Sequence, residues 1–164
     1  MDPNPWSVIA LPLAVVCWMR RKDPIGGWLL WFLAQLLLAA CAALYSFIDG
    51  WRQYLPATWH DPQLHLIYVL SRPPELVASL YLALVAWQAT RDCTTPTLRA
   101  LRTALVIRLG AGLAVCLLDV KFFPLLTTYD VRTTAAAVII LLYLAVSTRV
   151  DRVFVRKNWT WAMA

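Results

Sequence analysis

GGWLLWFLAQLLLAACAALYSFI, residues 26–48, carries no formal charge, and Gln35 is its one strongly polar side chain. As a helix rising ~1.5 Å per residue, this run covers ~30 Å, enough to cross the hydrocarbon core of a bilayer. Arg20, Arg21 and Lys22 stand just ahead of it. Basic clusters stay cytoplasmic, so the helix is expected to enter from inside and leave outside.

The rest of the chain fits that frame. Hydrophobic residues make up 61% of it and charged residues 15%, beyond the usual balance of a soluble domain. One membrane domain is expected from 164 residues. The formal charge of +6 clusters at span ends, which suits an anionic leaflet. No basic stripe on a soluble face suggests nucleic acid. Cys17, Cys41, Cys93 and Cys116 are too scattered for a metal knuckle or redox pair, and Cys41 and Cys116 read as small packing residues. Trp6, Trp18, Trp28, Trp51, Trp59, Trp87, Trp159 and Trp161 fall near expected span ends, as in an aromatic belt.

Taken in order, residues 6–19 are apolar but short, with Pro12 inside. An interfacial helix is the preferred reading of residues 1–22; a re-entrant piece or a short extra span are the others. The membrane domain, 23–150, is expected to hold spans at about 26–48, 73–90, 103–126 and 133–146. Residues 49–63, rich in polar and aromatic side chains, are placed outside. Ser71 as N-cap and Pro73-Pro74 suggest a helix starting near Pro73, with a kinked span from Leu64 as the alternative. Arg91, Arg99 and Arg102 mark a cytoplasmic loop, and Arg149, Arg152, Arg156 and Lys157 place the stretch from Ser147 to Ala164 inside, with a basic cytoplasmic tail at 151–164. The expectation is an all-α, four-span bundle with both termini inside.

Ionisable residues at membrane depth cost roughly 2.5–3.5 kcal/mol each at a helix centre and are functional candidates by default. Glu75, with Lys121 or Arg72, is the candidate polar cluster at the outer mouth; Asp119, Asp130 and Arg132 are placed at the same level. The preferred, blander reading has these residues pairing at the interface and anchoring helix ends. Arg108, Gly112, Cys116 and Asp119 share one face of the third span, either a pathway or, more simply, a packing seam with Arg108 reaching the cytoplasmic boundary. His60, Asp61 and His65 read as surface residues. Without a Ser-His-Asp set, a Gly-rich phosphate loop, GxSxG or HExxH, neither catalysis nor a cofactor is expected.

DPIGGWLLWFLAQLLL, residues 23–38, and YLAVSTRVDRVFV, residues 143–155, resemble the opening and closing of the bacterial membrane family known as domain of unknown function 2569. The matching positions are Gly26, Gly27, Trp28, Glu75, Ser147, Arg149, Val150 and Phe154. The fourth span departs from the family's aromatic-Ile-Pro-Tyr wording, and the first twenty residues have no counterpart. The resemblance implies a four-span protein of the bacterial inner membrane and supplies no mechanism. The expected role is an interaction or assembly subunit, contacting lipid and a protein partner or a second copy. A proton-linked carrier using Glu75, Asp119 and Arg108, and a lipid- or quinone-binding protein using the outer aromatic loop and the Arg72–Glu75 corner, are the alternatives.

Overall fold

The computed structural model describes residues 5–23, 25–123 and 127–157, with side chains from residue 12 onward and, in the last long helix, from Val131. The described residues are all-helical. In chain order they form α1 (Pro5–Met19), α2 (Gly27–Asp49), two 3-10 turns (Trp51–Tyr54 and Pro56–Thr58), α3 (Pro62–Asp92), α4 (Thr95–Phe122), α5 (Thr127–Val146) and α6 (Thr148–Val150), which runs on into a π-helical turn, Asp151–Arg156. Three helices, α2, α3 and α4, are long and apolar enough to cross a membrane. There are four if Val131–Val146 and Thr148–Arg156, bent by 57°, count as one span.

The helices are longer than the expected spans because the chain caps them earlier. α3 begins at Pro62, not Pro73: the Asp61 carboxylate accepts from the Gln63 amide at 2.8 Å, and Pro62 suits the first turn. Pro73 and Pro74 lie inside the helix. They have no amide to offer the carbonyls of Val69 and Leu70, yet the helix continues through them, so the Arg72–Glu75 corner is a stretch of continuous helix. α4 begins at Thr95, not near residue 103. Thr94 and Thr97 cap each other reciprocally, and Pro96 belongs to the first turn. The expected basic loop 91–102 shrinks to Cys93, in the left-handed conformation, and Thr94. Arg102 is thereby carried onto α4, where its Nη2 donates to the Leu144 carbonyl at 2.5 Å. It satisfies a carbonyl in the last turn of α5.

α2 to α5 pack sequentially, each against the next, and Phe32 on α2 meets Tyr143 on α5 with ring centroids 4.7 Å apart. α1 packs on α2 with Cys17 buried and Trp18 and Met19 exposed. The apolar core fills one end of the bundle, where α2 begins, α3 ends, α4 begins and α5 ends. Its members include Leu29, Leu33, Val85, Ala89, Leu101, Leu105 and Leu144. Val150, Val153 and Phe154 close it from below, Phe154 with no exposure. Residues 151–156, expected to open a tail, are therefore packed on the core. Their apolar side chains recur at helical spacing between the charges of Arg149, Arg152 and Arg156. Cys41 is exposed on α2. Trp6, Trp159, Trp161 and Asp130 lie outside the described side chains.

Candidate functional site

α4 presents one inward stripe at three- and four-residue spacing: Leu98, Leu101, Leu105, Arg108, Gly112, Val115 and Asp119. Its character changes at Arg108. Below it the stripe is apolar; above it, Gly112 and Asp119 flank a single apolar side chain, Val115. α3 changes at the same height, from Val85 and Leu82 up to Ser79, Glu75, Arg72 and Ser71. The two polar halves face each other. Ser79 and Ser71 return their hydroxyls to their own helix, at the carbonyls of Glu75 and Tyr68. The charged residues pair across the interface.

They form a chain of alternating sign. Arg108 Nη2 lies 2.7 Å from Glu75 Oε1, Glu75 Oε2 lies 3.6 Å from Arg72 Nη1, and Arg72 Nη2 donates to Asp119 Oδ2 at 2.5 Å. Asp119 is only 1% exposed, and Arg72, Glu75 and Arg108 are 13–15% exposed. Two guanidinium groups meet two carboxylates, so the cluster is formally neutral. That neutrality makes its burial tolerable, because lone charges in a medium of low dielectric cost several kcal/mol each. Arg108 stands at the midpoint of the 28-residue α4, and Asp119 three residues from its end. The chain thus climbs ~16 Å along the helix axis.

The expected cluster is assembled in part, and differently. Glu75, Arg72 and Asp119 come together, and Arg108 joins them instead of reaching a helix end. Lys121 does not: it is exposed, with Nζ 5.1 Å from the Phe122 ring. Two residues beyond Asp119 is ~200° around the helix, which turns Lys121 away. Arg132 is also exposed. Gly112 lets Arg108 fold back over its own helix. A Cβ there would lie 2.7 Å from Arg108 Nη1 and 3.0 Å from Thr134 Oγ1. The Thr134 hydroxyl oxygen is buried beside this point without a hydrogen-bond partner.

A second constellation joins the two ends of the chain. Arg149 Nη2 donates to the carbonyls of Arg21 at 2.9 Å and Asp23 at 2.7 Å. Its Nη1 would lie 3.0 Å from a Cβ on Gly27, whose φ is +54°. A Cβ on Gly26 would fall on the Arg20 carbonyl. Both glycines are required by close approach, and Gly27 also by its backbone. Gly27 and Arg149, 122 positions apart in the sequence, thus meet, with Gly26 held against the Arg20 carbonyl beside them; Val150 and Phe154 are buried. Trp28 is exposed, and Ser147 marks the break between α5 and α6.

Above the ion-pair chain lies an aromatic cap. Trp59, Tyr68 and Phe123 stand with centroids 5.3–6.0 Å apart, and Tyr54 stacks 5.4 Å from Tyr68. The Arg72 guanidinium lies 5.6 Å from the Tyr68 ring. His65 Nε2 is 3.1 Å from the Tyr54 carbonyl, and its ring lies against Trp59. Among the described residues no group of three or more His, Cys, Asp or Glu side chains could hold a metal. No protein-family model, characterised protein or solved structure matches the chain.

Proposed function

We propose that this protein is a non-catalytic subunit of the bacterial inner membrane: a small four-span bundle, both termini cytoplasmic, that packs on a larger membrane complex or helps assemble it. The observation that carries this reading is the mutual pairing of Arg72, Glu75, Arg108 and Asp119. Each carboxylate has a guanidinium partner, so the deep charges act as a fastener between α3 and α4. Such polar contacts fix how helices associate where lipid offers no hydrophobic drive. The basic clusters at 20–22, 91–102 and 149–157 support the sidedness. α1, at ~22 Å, is short for a span and is assigned to the interface, its Trp18 turned outward. The resemblance to domain of unknown function 2569 belongs to the same proposal.

Purification from its own membrane in mild detergent is expected to bring a second protein in fixed ratio. A lone monomer, with no partner after cross-linking in intact membranes, overturns the assignment.

One observation favours a second reading, a small proton-linked carrier. The unpartnered Thr134 hydroxyl lies beside Arg108 at mid-helix, where a passing water or solute would bind. On this reading proteoliposomes show proton-coupled flux that Asp119→Asn abolishes; unchanged flux in that variant rejects the role.

A further inference from the structure

The groove at the bundle end where α3 begins and α4 ends is lined by Gln53, Thr58, Trp59, Tyr68 and Phe123; it is an open depression of about 320 Å³. Two stretches far apart in sequence build it: residues 53–68, which run through the 3-10 turns into the start of α3, and Phe123, just after α4. The volume lies at the lower end of small-molecule pockets, which run roughly 300–1,000 Å³, and so admits one ring system.

The walls decide the chemistry. Three are aromatic rings, which favour a flat π partner. None of the five lining residues is charged. The nearest charge below, Arg72, is held by Asp119 and Glu75, so the floor attracts neither an anion nor, with a guanidinium against Tyr68, a cation. Burial, with Tyr68 beside it, pushes the Tyr54 phenol up to about 12, so no phenolate enters near neutral pH. The polar atoms are few and directed. The Trp59 indole N–H is committed to the Gln53 carbonyl at 2.6 Å. The Tyr68 hydroxyl donates to Gln53 Oε1 at 2.5 Å, and the amide N–H₂ is the donor that Gln53 can offer a ligand. Thr58 Oγ1 donates to backbone carbonyls of its own turn and keeps lone pairs for an external donor. A bare alkyl chain would strip water from both side chains without replacing its hydrogen bonds.

We propose that this groove binds the ring of a membrane-soluble quinone: the ring laid against the cluster of Trp59, Tyr68 and Phe123, a ring carbonyl accepting from the Gln53 amide, and in the reduced form a ring hydroxyl donating to Thr58. No electron transfer is assigned to the protein; the site holds either redox form. It stands whether or not the chain is a subunit of a larger complex.

The test is isothermal titration of the full chain, in phosphatidylcholine nanodiscs, with a decyl-substituted benzoquinone. Saturable binding of one quinone per chain is expected, weakened about tenfold by Gln53→Leu, the worth of one hydrogen bond to an otherwise satisfied ligand. Decanol, with the same tail and no ring, should not compete. Phe123→Leu, which removes one wall without touching a hydrogen bond, should also weaken binding, and circular dichroism confirms that each variant is folded. Heat that does not saturate, displacement by decanol, or a folded Gln53→Leu variant with unchanged affinity overturns the assignment.

Discussion

At the scale of single residues, the charges of the buried chain are unequal in consequence. Among the described residues Glu75 is the carboxylate paired with Arg108, whereas Arg72 touches both Asp119 and Glu75. Removing Glu75 therefore leaves a guanidinium stranded at the middle of α4, and removing Asp119 does not. Glu75→Leu is expected to cost about 3–5 kcal/mol, the penalty for breaking a buried pair, and Asp119→Leu clearly less. The double variant Glu75→Leu with Arg108→Leu should recover most of the loss. Chemical denaturation in mixed micelles reads all three; equal losses for the two acids would show that the pairing is not what matters. The glycines of α4 offer a parallel contrast. Gly110 has open space where a Cβ would go, and Gly112 has Arg108 and Thr134 there. Gly110→Ala should be neutral or stabilise by up to ~1 kcal/mol through helix propensity, while Gly112→Ala should cost about 1–3 kcal/mol by overpacking. Thermal melts of the two variants side by side decide it.

At the scale of elements, what the sequence made legible follows the physics of each signal. The uncharged run at 26–48 could be read as a helix because nothing in it competes. The starts of α3 and α4 could not, because Pro73 and Pro96 have the same residue type and opposite settings. One lies inside a helix and the other is at a first turn, and only the caps at Asp61 and Thr94 tell them apart. The ionisable residues were visible as candidates. Their partners were hidden by the longer helices, which moved Glu75 to within two residues of the middle of α3 and set it opposite Arg108. The last element was missed for a different reason. Arg149, Arg152 and Arg156 outweighed the apolar repeat of Val150, Val153 and Phe154, which buries itself against Leu98 and Leu101 in the same core. Phe154→Ala should leave a cavity costing about 3–5 kcal/mol. Limited proteolysis should then cut within 151–157, a region expected to resist in the parent chain because Val153 and Phe154 are buried. Unchanged resistance would mean that the turn is held by Arg149 and not by its own packing.

At the scale of the molecule, the bundle is divided into a dry end and an ionic end. Leu29, Leu101, Leu144 and Phe154 fill one, and the four paired charges under their aromatic cap fill the other. The outward faces, with Tyr45, Leu84, Leu117 and Leu142 exposed, suit a lipid surround. The proposed sidedness can be checked independently of any partner. Single cysteines placed at Arg52 and at Lys157, in a background without the native four, should label from opposite sides of the membrane with an impermeant reagent. Labelling of both from the same side would refute the even number of crossings.

The grip of Arg149 on the carbonyls of residues 21 and 23 has a temporal corollary. Its two halves are separated by about 126 residues of synthesis, so at roughly 5–20 residues per second the amino-terminal linker waits on the order of ten seconds for the side chain that closes it. A nascent polypeptide halted before that arginine emerges lacks the donor for both carbonyls, and its amino-terminal linker is without this clasp until synthesis is nearly finished.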